Sequence, residues 1–230
     1  MKRIGHKGAD SVHPGNTIES FEAAVELGVD MIEFDVLRLR DGSLVIAHDY
    51  VDAERREPIA LADCLDAFTA APLRHVELDC DLKRSGGERE LAAALRERGL
   101  LDRAMVSTME LSSLTELRRL DPGLKLGWTY PKVGRDWNRR RWARPAVLAA
   151  LRVMRRRLPR LAARTLPRLG VEAMWVYWPL INRRLLDAAG EAGVEVIAWT
   201  VDDPERIRTL AALGVDGVVT NDPRLFGERG

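Results

Sequence analysis

Short strand-like runs alternate with amphipathic segments along almost the whole chain. Eight runs have the length and spacing expected of strands: residues 3–6, 31–35, 76–82, 104–107, 124–128, 173–177, 196–199 and 217–220. Most are separated by segments with helical spacing, over residues 17–27, 60–68, 88–98, 111–120, 181–189 and 204–213. Glycines follow several of these segments where a C-cap is expected, at Gly28, Gly99, Gly193 and Gly214. Alternation predicts a parallel sheet, and eight repeats favour a closed (β/α)8 barrel, the TIM-barrel fold, over an open doubly wound sheet.

One stretch departs from the alternation, directly after the second predicted strand. Asp41-Gly42 lies between two apolar runs, which is a strong signal for a β-hairpin. We expect the second strand to run past the barrel rim, turn, and return. The returning segment would then bring His48 near Glu33 and Asp35.

Composition narrows the class of protein. The 230 residues are 46% hydrophobic and 31% charged, which suits one globular domain spanning residues 1–230. A formal net charge of +1 gives no reason to expect nucleic acid as a partner. Two cysteines are too few for a disulfide framework, and no apolar run approaches the roughly 18 residues of a membrane span. With no signal-peptide pattern after Met1, we expect a cytoplasmic protein.

The even total charge conceals a strongly basic segment. Residues 131–168 contain thirteen Lys or Arg and one acid, Asp136. We interpret them as a basic amphipathic insertion in the domain, in which Pro159 should break or kink a helix. Three roles stay open for this segment: a barrel helix with a solvated arginine face, a peripheral contact with anionic membrane, and a contact with another subunit.

Acidic residues cluster where the barrel would carry its chemistry, at the C-terminal ends of strands. Glu33 and Asp35 are two residues apart, so both point to one face, and Asp81 and Lys83 share a face on the next strand. Converging carboxylates repel one another unless a cation neutralises them. An all-oxygen ligand set suits Mg²⁺ or Ca²⁺ better than Zn²⁺. His6, which ends the first strand, and the hairpin His48 could then exchange protons near neutral pH.

The order of these residues resembles the glycerophosphodiester phosphodiesterase family, of the phospholipase-C-like barrel type. The resemblance covers nearly the whole chain apart from roughly residues 131–170. It rests on His6-Lys7-Gly8, Pro14-Gly15-Asn16-Thr17, Glu33-Phe34-Asp35, Asp41-Gly42, Val45-Ile46-Ala47-His48-Asp49, Asp81-Leu82-Lys83, Ala198-Trp199-Thr200-Val201 and the run 214–223. Each motif alone is weak, but the ordered set is specific.

The resemblance implies a role for each matching residue. His6 and His48 match a general acid/base pair, while Glu33, Asp35 and Asp81 match the ligands of one divalent cation. Lys7 and Lys83 would bind the phosphate, and Asn16 would order the site. Trp199, by its place at the end of a strand, could form a wall of the pocket or belong to the core. The implied reaction is hydrolysis of a glycerophosphodiester to glycerol 3-phosphate and an alcohol, in which a glycerol hydroxyl attacks the phosphate and water opens the resulting cyclic phosphate.

Four features depart from the family pattern. Lys7 replaces an arginine, which keeps the charge but loses bidentate phosphate geometry. Gly15 replaces a glutamate, Asp81 is one methylene shorter than the usual glutamate, and residues 50–59 leave little room for the insertion that often follows His48. Two alternatives therefore stay open: a lysophospholipase D-type activity on lysophospholipids, and a non-catalytic barrel that binds phosphate esters.

Other candidates carry less weight. His13 and His75 have no chemical context and are expected at the surface, while Asp79 shares the parity of Asp81 and could be a further ligand. Cys80 has the opposite parity and should pack outward against helices.

Overall fold

The computed structural model describes residues 1–132 and 144–227, and within them the strands close into a barrel. Eight parallel strands follow the order β1-β9-β8-β7-β6-β5-β4-β2, and β1 pairs with both β9 and β2, which closes the ring. Their bounds are β1 Lys2–His6, β2 Met31–Arg38, β4 Glu77–Leu82, β5 Ala104–Thr108, β6 Lys125–Tyr130, β7 Ala173–Tyr177, β8 Glu195–Trp199 and β9 Gly217–Thr220. The predicted (β/α)8 barrel is confirmed.

The hairpin is also present. Strand β3, Leu44–Ile46, runs antiparallel to β2, with Val36 opposite Ile46 and Arg38 opposite Leu44. Asp41 accepts hydrogen bonds from the backbone and hydroxyl of Ser43, which tightens the turn. The chain therefore returns to the rim of the barrel directly before His48.

Helices surround the barrel, and the predicted glycine caps follow four of them with positive φ angles between 64° and 98°. The helix bounds are α1 Ile18–Glu26, α2 Tyr50–Arg55, α3 Leu61–Ala67, α4 Glu88–Glu97, α5 Leu111–Leu120, α6 Arg144–Leu169, α7 Arg183–Glu191 and α8 Pro204–Leu213. No helix in the described ranges is both long and apolar enough to cross a membrane.

Strand alternation divides the interior into two layers. On β2, Ile32 and Phe34 face outward and pack under the helices, where the rings of Phe21, Phe34 and Phe68 lie 5.5 to 5.6 Å apart. Cys80 belongs to this outer layer, as predicted, and is a free, buried thiol. The inward positions form a smaller apolar cluster inside the barrel, which contains Ile4, Met31, Met105, Ala173, Trp175, Ile197 and Val219. Because this apolar cluster fills the barrel interior, polar side chains are left to the C-terminal ends of the strands.

The sequence predicted a break or a kink at Pro159. The break is absent, because α6 continues through Pro159 and Pro167. A proline removes the N–H that would bond the carbonyl four residues earlier, which here belongs to Arg155. The side-chain amide of Asn182 donates to that carbonyl at 3.0 Å. Asn182 also caps α7 by accepting from the backbone N–H of Leu185. Residues 133–143 of the predicted basic segment, with Asp136, lie outside the described residues.

We expect Asn182→Ser to lower the free energy of unfolding by about 1 kcal/mol, because serine still caps α7 but is too short to reach the Arg155 carbonyl. Pro159→Ala restores a backbone N–H for that carbonyl. The loss from Asn182→Ser should therefore shrink to a few tenths of a kcal/mol in the Pro159→Ala background. Urea unfolding of the four proteins measures both losses. Equal losses in the two backgrounds would contradict this account of the uninterrupted helix.

Candidate active site

The first side chain of the site is His6, the last residue of β1. Its Nδ1 lies 2.5 Å from the side-chain oxygen of Asn221, and its Nε2 lies 3.8 Å from a carboxylate oxygen of Glu33. The amide of Asn221 donates to Asp202 at 2.6 Å, which leaves its oxygen for His6. In neutral His6 the proton must then be on Nδ1, and Nε2 is free to accept a proton. Asn221 and Asp202 were not predicted as site residues.

Burial, followed by the positive charge of Lys7, lowers the pKa of His6, although Asp35 and Asn221 act in the opposite direction. The neutral imidazole is therefore favoured. A neutral ring with an available Nε2 is suited to accept a proton from a bound hydroxyl or water.

Three carboxylates converge beside His6. One oxygen each from Glu33, Asp35 and Asp81 lies within 4.8 Å of the others, and all three residues are buried. The pairing of β2 with β4 explains this, because it aligns Asp35 with Asp81 while Glu33 is two residues earlier on the same face. The parity argument from the sequence thus locates the cluster correctly.

Positive charge from lysine balances part of this cluster. The ammonium group of Lys83 forms ion pairs with Asp35 and Asp81, and that of Lys7 lies 3.6 Å from Asp35. Burial alone would raise the pKa of Asp35, but Lys83 and Lys7 outweigh burial and hold that pKa far below its usual range. Burial would likewise lower the pKa of Lys83, yet Asp35 and Asp81 keep it well above normal.

The pKa of Glu33 is shifted in the opposite direction to that of Asp35. Burial, together with the charges of Asp35 and Asp81, raises the pKa of Glu33 to about 8. Protonation thus neutralises Glu33, while the ammonium of Lys83 offsets the negative charge of Asp35 and Asp81. A divalent cation would supply positive charge in the same place, so the residues present fit a metal site for a hard, oxygen-seeking ion.

Asp79 lies deeper and outside the converging group, although it shares the inward face of β4. It accepts a hydrogen bond from the hydroxyl of Ser107 at 2.7 Å. Burial, with the nearby Asp81 and Glu33, raises the pKa of Asp79 well above its usual range. The neutral carboxyl form of Asp79 is therefore favoured, which suits it less to binding a cation.

Asn16 holds Asp35 in place from the loop after β1. Its amide donates to Asp35 Oδ2 at 2.8 Å, and its side-chain oxygen accepts from the Asp35 backbone N–H at 3.1 Å. Asn16 is buried and has a φ of 61°, a left-handed conformation that asparagine tolerates better than most residues. Its contacts are those of a residue that orders the site.

His48 reaches the site from the hairpin. It is exposed, its Nδ1 lies 3.1 Å from Asp49, and its backbone N–H donates to Asp52. Asp49 in turn caps α2 by accepting from the backbone N–H of Asp52. The orienting contact through Nδ1 leaves Nε2 of His48 available. The hairpin has therefore brought a second histidine to the same site as His6.

The two histidines, Lys83 and two of the three converging carboxylates line one cavity of about 200 Å³ at the C-terminal ends of the strands. The indole N–H groups of Trp175 and Trp199 have no acceptor among the described residues. The cavity is lined by His6, Glu33, His48, Asp81, Lys83, Ser107, Met109, Thr129, Trp175, Trp199, Thr200 and Val219. His13 and His75 are exposed elsewhere on the surface.

A second, open depression of about 460 Å³ adjoins His48 and includes Lys7 and Asn16. The packing of the loop beside it explains why glycine, and not the family's glutamate, stands at Gly15. A Cβ at Gly15 would lie 2.5 Å from a carboxylate oxygen of Asp10 and 2.8 Å from the Cβ of Lys7. Arg56 donates to the Gly15 carbonyl at 2.7 Å, so this loop has no room for a larger side chain.

The barrel and its cavity of carboxylates, histidines and lysine have the composition of a hydrolase site that acts on a phosphate ester. The sequence profile of the Glycerophosphoryl diester phosphodiesterase family matches residues 6–78 and 72–225. The chain belongs to this family, and the prediction of a phosphoric diester hydrolase is confirmed.

Individual relatives match this chain over nearly their full lengths. The chain is 25% identical to a glycerophosphodiester phosphodiesterase of Caldanaerobacter subterraneus, over 96% of this chain and 93% of the relative. Among solved structures, a glycerophosphodiester phosphodiesterase from Parabacteroides distasonis has a TM-score of 0.74 at 20% identity, over 97% of this chain and 93% of that one. A phosphodiesterase from Oleispira antarctica, in complex with the product sn-glycerol-3-phosphate, has a TM-score of 0.70 at 19% identity, over 97% and 94%. The two structures support the fold.

Asn16→Asp tests the role of Asn16. The substitution keeps the size of the side chain but places a carboxylate oxygen against Asp35, where Asn16 now donates. With metal removed by chelator, we expect a loss of about 3 kcal/mol in the free energy of unfolding at pH 8. The loss should be smaller at pH 5, because a shared proton restores the hydrogen bond. Urea unfolding at both pH values measures it, and a loss independent of pH would exclude charge repulsion as the cause.

Proposed function

We propose that this protein hydrolyses glycerophosphodiesters to glycerol 3-phosphate and an alcohol. The observation that supports this most is one cavity lined by two histidines, Lys83 and the carboxylates of Glu33 and Asp81, which converge with that of Asp35. A cavity of about 200 Å³ is smaller than the ~300–1,000 Å³ pockets that enclose drug-sized ligands. Its size suits a glycerol phosphate group. The product named for the Oleispira antarctica structure is of this chemical class.

Glu33, Asp35 and Asp81 would hold one divalent cation, Mg²⁺ or Ca²⁺. When bound, the ion supplies Lewis-acid polarisation of the phosphate oxygens. The ammonium of Lys83, which pairs with Asp35 and Asp81, would bind a phosphate oxygen. Lys7 lies on the same side, 3.6 Å from Asp35, and would add positive charge next to the phosphate.

The two histidines differ in ways that support different roles for them. His6 is neutral, with Nε2 free, and would accept the proton of the glycerol hydroxyl as its oxygen bonds to phosphorus. His48, at the exposed rim, would in its protonated form donate to the alcohol oxygen as the P–O bond breaks. Water then opens the cyclic phosphate with the two roles reversed. Trp199 would form one wall for the glycerol moiety.

A lysophospholipase D-type reaction is the second candidate. The short helix α2, Tyr50–Arg55, follows His48 in place of a long insertion, so no large element of the hairpin covers the mouth. An acyl chain would not fit in the cavity itself and would have to lie along the rim. Glycerophosphocholine and a lysophospholipid, compared as substrates, distinguish the two reactions.

Release of glycerol 3-phosphate from glycerophosphocholine should depend on metal. We expect turnover with Mg²⁺ or Ca²⁺ and a fall to background with chelator. Glu33→Gln should lose both turnover and the rise in melting temperature that metal produces in the unaltered protein, because it removes one of three charged ligands. Undiminished activity in chelator would show that the metal site is wrongly assigned. Tight binding of the diester without turnover, under either metal, would instead favour a non-catalytic role.

His6→Ala and His48→Ala should each reduce kcat by roughly 10²- to 10⁴-fold, as expected for loss of general acid/base catalysis. His13→Ala serves as the control, because this exposed histidine lies outside the cavity. Far-ultraviolet circular dichroism establishes that each variant is folded. If either cavity variant retained full kcat, its assigned role in proton transfer would be refuted.

A further inference from the structure

Helix α6 is much longer than the helices beside it. It has 26 residues, whereas α5, α7 and α8 have 9 or 10. Its fully buried side chains are Leu158, Ala162 and Leu166, all in its C-terminal half. That half has the length of an ordinary barrel helix and packs as one. The N-terminal half therefore requires a different explanation.

The N-terminal half extends on the side of the barrel that carries the candidate active site. Barrel helices run antiparallel to the strands, so each begins at the end where the strands finish. The bond from Asn182 to the Arg155 carbonyl places the start of α7 level with Arg155. Residues 144–154 precede that level and correspond to about 16 Å of helix. This extension follows β6, whose Thr129 lines the catalytic cavity.

Helix α6 is strongly cationic where it meets the start of α7. Helix α6 contains eight arginines and no acidic residue. With the start of α7 it forms a groove of about 530 Å³, lined by Arg152, Arg155, Arg156, Pro159, Asn182, Arg183 and Arg184. None of these five guanidinium groups pairs with a carboxylate of a described residue, unlike Arg118 on α5, which pairs with Glu172. The positive charge is therefore available to an external anion.

Apolar side chains are exposed among these charges. Leu148 is 56% and Val153 is 47% exposed. Leu148 precedes Arg152 by four residues and Arg156 by eight, so it shares their helix face. Half-buried Leu151 and Met154 pack on the core and hold the extension against the barrel. The phosphates of nucleic acid would pair only with the cations, whereas a bilayer interface accepts both the cations and an exposed leucine.

We propose that the N-terminal half of α6 and the start of α7 form a docking surface for a bilayer of anionic phospholipid. The arginines contact the lipid phosphates while Leu148 enters the headgroup region. Because the extension stands on the catalytic side, docking presents the mouth of the cavity to the membrane. The binding surface is independent of the proposed reaction, so its test needs no turnover.

Sedimentation with vesicles measures the binding directly. The unaltered protein should sediment with phosphatidylcholine vesicles that contain phosphatidylglycerol, and not with pure phosphatidylcholine. R152Q/R155Q/R156Q should weaken binding roughly a hundredfold, equal to about 3 kcal/mol for three charges near an anionic surface. The control R74Q/R119Q/R208Q removes the same charge from exposed positions elsewhere on the barrel and should bind like the unaltered protein.

Leu148→Ser tests the apolar contribution. We expect it to weaken vesicle binding several-fold while leaving binding to a DNA duplex or to heparin unchanged. Failure to sediment with anionic vesicles at low salt, or equal losses in the two triple variants, overturns the proposal. So does binding to duplex DNA that the groove variant abolishes while vesicle binding persists, or self-association through the groove in place of lipid binding.

Discussion

The site depends on keeping like charges together in a place with little water. Glu33, Asp35 and Asp81 are buried within 4.8 Å of one another, and such an arrangement persists only if positive charge or protons compensate it. Lys83 compensates Asp35 and Asp81, and a raised pKa keeps Glu33 protonated near neutrality. The same unfavourable proximity of carboxylates makes the site receptive to a divalent cation.

Hydrogen bonds from neighbouring loops give this charge cluster its geometry. Asn16 fixes Asp35 from one side, and the Asp202–Asn221 pair sets the proton position on His6 from the other. These contacts join loops that follow different strands, so the barrel's closure is what brings them together. Lys7 is part of the same region, and its close packing against Gly15 explains why this loop departs from the family's glutamate there.

Helix α6 combines two physical requirements in one segment. Its second half buries apolar side chains on the barrel, while its first half leaves arginines and Leu148 in solvent beside the catalytic mouth. The continuity of the two halves across Pro159 relies on a side-chain amide from the next helix, Asn182. A surface for lipid and a mouth for a phosphodiester would in this way be held in one rigid orientation.

Local periodicity and turn chemistry were enough to predict the eight alternating strands, the hairpin, and the inward parity of Glu33 and Asp35. His48 could be placed at the site because a short hairpin leaves it little freedom. The tertiary structure alone decided the roles of Asn221 and Asn182, the exclusion of Asp79 from the cluster, and the opposite pKa shifts of Glu33 and Asp35. Such features depend on distances and burial among residues far apart along the chain, and a local pattern carries no information about either.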